Sequence, residues 1–489
     1  METLSHLYKS SLGLLTDLYQ LTMAYGYWKV GVGEREAVFH VIFRKNPFGG
    51  GYAIACGLHY FIGYLRDLKF EISDLQYLST LTGNDGKPLF DPAFLEFLRS
   101  MKFTLDIDAM PEGTVVFASE PMVRVRGSLL AAQIVETALL NMVNFQTLVA
   151  TKAARICQAA RGEPVIEFGL RRAQGIDGGI AASRAAFVGG CAATSNLLAG
   201  KLFGIPVGGT HAHSWVMSFS DEIDAFDSYA AALPNNCVFL VDTYNTLQGV
   251  RHAVKIGKKL RNHGHEIIGI RLDSGDLAYL SIEARKILDQ GGFPDAKILA
   301  SNDLDEHIIS SLKDQDAKIN VWGVGTKLAT AFDQPALGGI YKLGAMRDES
   351  GKWQYKLKLS EQTAKISVPG VLQVRRFSDG ETMVADAIYN EQDLPAGDIS
   401  IVDPSDMTRR KLLPASLLHE DLLIPIFRKG ELVYSPPALR DVQQRAREQL
   451  AKVHPGIKRF VNPHQYPVGL ERNLHELRTE LILKARGEC

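Results

Sequence analysis

Four short stretches concentrate side chains able to grip phosphate, hold a sugar or carry a phosphoryl group: EFGLRR, GGTHAHSW, IRLDSGD and WGVGTKL. In the first, Arg171 and Arg172 follow an apolar run. A tandem arginine is either solvated loop or a bidentate clamp on phosphate, and Phe168 beside it is either core or a stacking surface. In GGTHAHSW, His211 and His213 stand at i and i+2, so on extended backbone they project to the same side. An H-x-H metal site is one reading, but no third His or Cys lies at ligand spacing. A structural histidine is the second reading, and an imidazole that accepts a phosphoryl group and yields it to water is the third.

Asp273 and Asp276 bracket Ser274 and Gly275 in LDSGD. Helix capping accounts for one of the two aspartates, because a carboxylate before a helix accepts its orphan backbone N–H groups. The other can hold ribose hydroxyls, offset the charge of an oxocarbenium centre, or position Mg2+. Asp242 in LVDT and Asp303 in ASND carry the same two readings. In WGVGTKL, Gly323 and Gly325 let backbone N–H groups approach an anion, and Thr326 adds a hydroxyl. The loop is too short for a Walker A motif. An arginine pair, a histidine, aspartates and a glycine turn together describe a site for a phosphorylated sugar with Mg2+, the ligands of the ion being left open.

These clusters share one kind of position. From Pro164 onward, short β-branched or apolar runs alternate with helical stretches: PVIEFG, GIPVGG, CVFLVDT, EIIGIRL, AKILASND and INVWGVG each precede a helix or close the series. Repeated strand–helix units imply a parallel sheet, and six in succession suggest an irregular (β/α) barrel, with a doubly wound sheet as the alternative. In both architectures the carboxyl ends of the strands carry the active site. The flanks read differently. Residues 104–125 alternate as antiparallel strands, and 129–162 is apolar at helical spacing, one long helix or two joined. Strand patterns return in GIYKLGAM, WQYKLKLS and VLQVRRF, so the chain is expected to re-enter its first domain. The expected organisation is therefore a mixed α/β domain over 1–128, a barrel over 129–340, and a segment over 341–489 that rejoins the first. Its tail, LLPASLLHEDLL followed by ALRDVQQRAREQLAKV, is expected to be helical.

Composition bounds the partners. A formal net charge of −1 over 489 residues supplies no general basic field for nucleic acid or an anionic membrane. Five scattered cysteines without a CxxC pair read as reduced thiols, and no charged, unbroken apolar leader opens the chain, so a cytoplasmic protein is expected. No window approaches the twenty or so apolar residues of a membrane span.

Taken in order, LLTDLYQLTMA, EFGLRRAQG, GTHAHSW, IRLDSGDL, GVGT and VNPHQYPV resemble the motif series of the nicotinate phosphoribosyltransferases, over nearly the whole chain from Leu14 to Val468. The resemblance implies a reaction between nicotinate and phosphoribosyl pyrophosphate that gives nicotinate mononucleotide and pyrophosphate on the route to NAD. It also implies ATP as co-substrate, coupled through phosphorylated His213. It places Thr210 in contact with nicotinate, Arg271 near the pyridine carboxylate, Asp273 by the ribose, and Phe168 against the ring. Arg171, Gly325 and Thr326 fall on phosphate. Tyr19 matches an aromatic supplied by a neighbouring subunit, which implies a homodimer with shared sites.

A sibling family that takes nicotinamide carries an acidic residue near the stretch that here reads GGCAATSN, Gly189 to Asn196; its absence favours the acid. One departure stands out: where the family often has lysines after Pro-Gly, this chain has Val371 and Leu372. Any phosphate contact made there passes to Lys342, Lys356, Lys358 or Arg376. A transferase for nicotinamide or quinolinate is the alternative within the class, although quinolinate needs two carboxylate anchors. A barrel lyase would need a Schiff-base lysine, for which Lys327 is the candidate.

Overall fold

The computed structural model describes residues 12–362 and 365–487, so Cys489 lies outside the described residues. The chain forms two compact units, one of residues 1–148 with 336–489 and one of residues 149–335.

The unit of residues 149–335 holds a parallel sheet of β1 (Val165–Glu167), β2 (Ala193–Thr194), β3 (Val238–Leu240), β4 (Gly269–Leu272), β5 (Lys297–Ala300) and β6 (Val321–Val324). The spatial order is β2-β1-β6-β5-β4-β3. Sequential strands are neighbours except for β2 and β3, and the last pairs with the first, Trp322 opposite Val165, as barrel closure requires. A seventh segment joins beyond β2: Thr194 donates its N–H to Pro206 O at 3.0 Å and accepts from Gly208 N at 3.0 Å. Among the described residues the ring is open only between that segment and β3, which makes the barrel irregular.

Helices α1 (Gly175–Val188), α2 (Leu197–Phe203), α3 (His213–Met217), α4 (Glu222–Ala232), α5 (Thr246–Arg261), α6 (Leu277–Gln290), α7 (Glu306–Asp314) and α8 (Thr326–Ala329) separate the strands. Polar residues just past the strand ends start many of them. Asn196, Asp221, Asn245, Asp276 and Asp305 each accept a first-turn backbone N–H. Each such cap stabilises its helix by about 1 kcal/mol and fixes where the preceding loop stops. The strands themselves are buried: Phe239, Ile270, Ile298 and Trp322 have no exposed surface.

In the other unit, a seven-stranded sheet interleaves early and late sequence. Glu36–Phe43 lies between Gly339–Arg347 and Val123–Ser128, antiparallel to both. This pairing makes one mixed domain of the N- and C-terminal segments. The helical run that begins at Leu129 splits into Leu129–Ile134 and Glu136–Ala159. The division between units falls inside the second of these, because Leu130 and Ile134 pack in one cluster with Leu21, Phe70 and Phe94.

The tail corrects one expectation. Leu439–Ala451 is helical, but LLPASLLHEDLL is not; it contributes strands Arg410–Leu413 and Leu418–Asp421 to a six-stranded sheet. Pro414 disfavours helix for the residue before it. Leu418–Asp421 pairs with Leu372–Ser378, where Arg375 clasps Asp421 at 2.8 and 2.9 Å. Edge pairing and a cross-strand ion pair outweigh a weak helical pattern.

Candidate active site

The carboxyl ends of the barrel strands bring the sequence-selected residues to one mouth. Arg271, on β4, is the hub. Its guanidinium donates to Thr210 Oγ1 at 3.0 Å, Ser301 Oγ at 2.9 Å and Asp273 Oδ1 at 2.9 Å. Thr210 follows the seventh segment and Ser301 follows β5, so one side chain ties three strand ends together. Ser301 also donates to Asp273 Oδ1. Burial alone would raise the Asp273 carboxyl, but the Ser301 hydroxyl and the Arg271 charge outweigh it and hold the group below the ordinary aspartate value. Asp273 is thus a dependable anion with its Oδ2 still open to the mouth.

His213 opens α3 and faces two carboxylates. Its Nε2 lies 3.6 Å from Asp273 Oδ2 and 3.9 Å from Asp242 Oδ1, while Nδ1 lies 3.1 Å from Thr243 Oγ1. The side chain is 38% exposed, so the ring is reachable from solvent. Asp242, just past β3, accepts Asp273 N at 2.8 Å and Ser274 Oγ at 2.6 Å, both on Oδ2. Its Oδ1 is buried without a hydrogen-bond partner among the described residues. A buried carboxylate oxygen left unpaired is costly unless something cationic completes it.

Phe168 supplies the aromatic wall, with the Arg271 guanidinium 5.6 Å from its ring centroid. Gly323 makes room for that ring: a Cβ there would stand 2.6 Å from Phe168 Cε2. Gly325 lies beside the Phe168 backbone and precedes α8, whose opening amides at Thr326 and Lys327 lack intrahelical acceptors. Arg171 lies in a short 3-10 turn, Leu170–Arg172, with an exposed side chain. That turn is anchored by Glu167, which accepts Gly169 N, Ser183 Oγ at 2.8 Å and Thr194 Oγ1 at 2.6 Å.

Other candidates sort themselves by geometry. Asp276 caps α6, leaving Asp273 as the aspartate of the mouth. Asp303 is exposed, and the cap of α7 is Asp305. Lys327 is held by Asp305 at 2.6 Å, which removes it as a free amine nucleophile. Arg376 is no phosphate ligand: it is buried against Asp386 at 2.6 Å and Gln449 at 3.0 Å. Lys342 is different, because burial and then the positive charges of Lys358 and Arg44 lower its pKa. Tyr19 is half-exposed on helix Leu18–Lys29, with its hydroxyl pushed up to about 12 by burial and then by Glu136.

Ser301, Thr243 and Glu167 escaped the sequence reading although each sits inside a stretch that was singled out, ASND, LVDT and EFGLRR. A hydroxyl whose work is to orient another side chain has no spacing of its own.

The family models and the curated relatives name one family. Family models described as the nicotinate phosphoribosyltransferase N-terminal domain, family and C-terminal domain match residues 14–144, 164–352 and 373–478. The chain is 45% identical to the nicotinate phosphoribosyltransferase of Bacillus subtilis (strain 168), over 96% of this chain and 97% of that one. It is 34% identical to the human protein of that name over 95% of each. A crystal structure of human nicotinic acid phosphoribosyltransferase superposes with a TM-score of 0.83 and 32% identity, covering 95% of this chain and 99% of that chain.

Proposed function

The chain belongs to the nicotinate phosphoribosyltransferase family, and from that premise we propose that the barrel mouth joins nicotinate to phosphoribosyl pyrophosphate, coupled to ATP through His213. The observation that carries this reading is the junction of Arg271, Asp273 and His213, with Phe168 under the same guanidinium. Arg271 and the Thr210 hydroxyl present donors for a carboxylate, and Phe168 offers a face for a pyridine ring. The pyridine nitrogen attacks the ribose C1, the C1–O bond to pyrophosphate breaks, and positive charge spreads over the sugar ring. Asp273, kept ionised, offsets that charge. Arg171 and the amides around Gly325 and Thr326 receive phosphate oxygens.

For ATP coupling, Thr243 fixes the His213 ring through Nδ1 and leaves Nε2 as the acceptor. Attack of Nε2 on the γ-phosphorus forms an N–P bond and releases ADP; water later attacks phosphorus and frees phosphate. Mg2+ fits beside the unpaired Asp242 Oδ1, with Asp273 as a second carboxylate, and would neutralise pyrophosphate or ATP oxygens there.

The product feeds NAD salvage. A homodimer is favoured by the exposed apolar side chains of Leu15, Leu18, Tyr19 and Met23, from which Tyr19 of a second copy would face the bound ring. Cys56, Cys157, Cys191 and Cys237 form no disulfide among the described residues, which fits the reducing cytoplasm. No helix among the described residues is long and apolar enough to cross a membrane.

The test is product formation from nicotinate, nicotinamide or quinolinate with phosphoribosyl pyrophosphate, each with and without ATP. Nicotinate turnover stimulated by ATP is expected; preference for either alternative pyridine overturns the substrate, and indifference to ATP overturns the coupling. His213→Ala should lose the stimulation while keeping weak ATP-independent synthesis.

A further inference from the structure

The barrel has one seam, and a side chain bridges it. Alternate N–H groups of a strand point to opposite edges. Val241 donates to Arg271 O on the paired side of β3, so Leu240 N–H points toward the seam, where no strand receives it. His211 Nε2 accepts it at 3.2 Å. The ring is buried, 8% exposed, and meets Tyr229 edge-on with centroids 4.8 Å apart. We propose that His211 is a positioning residue: its ring replaces the missing strand pairing and sets the loop carrying Thr210 and His213 in register with the loop carrying Asp242 and Thr243.

The residues on either side show what the register controls. Thr210, before His211, accepts from Arg271, and His213, two residues on, meets Thr243, three residues beyond Leu240. The Leu240 bond adds a second link between the two loops to the His213–Thr243 contact at the mouth. The bond requires a neutral ring with the proton on Nδ1, which lies 3.5 Å from Ala212 O. Burial supplies that state, with the Arg271 charge and the neighbouring His213 acting in the same direction and the Ala212 carbonyl opposing; together they hold the ring at about 4. An H-x-H spacing that suggests a metal pair thus splits into one imidazole for the backbone and one for the mouth.

The inference rests on the reading of the mouth as the transferase site, so its test has two arms. His211→Phe keeps the ring but removes the acceptor; His211→Gln returns an acceptor near the Nε2 position. The expected kinetic result is a fall in kcat of about tenfold or more in the Phe variant, the equivalent of one buried donor left unpaired. KM for nicotinate stays within about threefold, by the same argument that the binding groups remain, and the Gln variant recovers most of the rate. In [15N]histidine spectra at neutral pH, His211 should show the Nδ1–H tautomer. The His213 Nδ1–H signal should persist in the Gln variant and broaden away in Phe. Unaltered kcat in the Phe variant, or equal loss in Phe and Gln, overturns the proposal. Should the Phe variant fail to fold, an Nε2–H or protonated His211 in the native protein overturns it just as well. The spectra do not depend on substrate identity, so a wrong substrate and a wrong seam give different results.

Discussion

Two arginine–aspartate pairs, one in each unit, use nearly the same groups to opposite ends. At the barrel mouth, Arg271 and Asp273 are joined at 2.9 Å with Ser301 as the accompanying hydroxyl, and their side chains keep 13% and 29% exposure. In the other unit, Arg376 and Asp386 are joined at 2.6 Å with Tyr466 donating to Asp386 at 2.8 Å, at 2% and 0% exposure. Around the buried pair, Phe117 stacks on Tyr466 and Gln449 takes a further guanidinium N–H. A second carboxyl, Glu120, is pushed well above the ordinary range by burial and then by Asp386. The mouth instead leaves His213 reachable, with Asp242 Oδ1 as an unpaired oxygen beside it. Access from solvent, not the kind of residue, separates a site from a strut.

Substitutions can break that contrast, and the largest effects should fall on different observables. Arg376→Met leaves Asp386 as a buried unpaired charge and should cost about 3–5 kcal/mol in denaturant unfolding, with near-normal KM in the molecules that stay folded. Asp273→Asn should do the reverse. It should lower kcat by about 10²–10³-fold, as for loss of one group stabilising transition-state charge, while the unfolding midpoint moves little. Similar stability losses for both would erase the distinction.

Next in size is Gly323→Ala. Its Cβ would stand 2.6 Å from the Phe168 ring, an overpacking of about 1–3 kcal/mol that should appear as a higher KM for nicotinate. The smallest effect is expected of Glu120→Gln, which replaces a carboxyl already disfavoured as an anion by an amide of the same shape and should change stability by no more than about 1 kcal/mol, the worth of one hydrogen bond.

Melting temperature against pH sharpens the same contrast. Glu120 has a raised value when folded, so its contribution is full below the ordinary glutamate value, about 4.3, and is lost as pH rises through the folded value; Gln should flatten that decline. Asp273 is depressed when folded, so its contribution is present above the ordinary aspartate value and lost as pH falls through the lower one.

Much of this was legible in the sequence because the barrel is local. Strand, cap and chemistry recur within each unit, so IRLDSGD reveals in one stretch both the hub Arg271 and the division of labour between Asp273 and Asp276. What was not legible depends on partners far away in the chain. Arg376 reads as a free cation until Asp386 and Gln449 enclose it, and Lys327 as a free amine until Asp305 is placed. His211 and His213 look alike in sequence; only the open edge of β3 tells them apart. LLPASLLHEDLL took its form as an edge strand on Leu372–Ser378, about forty residues away, which no local pattern announces.

The central claim is that the exposed Nε2 of His213, oriented by Thr243 at the shared mouth, is the group that couples ATP to the transfer. Incubation with γ-labelled ATP and Mg2+, followed by peptide mapping under alkaline conditions, tests it directly. The label should be acid-labile, reside on the peptide carrying His213, and be discharged when nicotinate and phosphoribosyl pyrophosphate are added. Label on any other residue, or none while ATP still stimulates turnover, would contradict it.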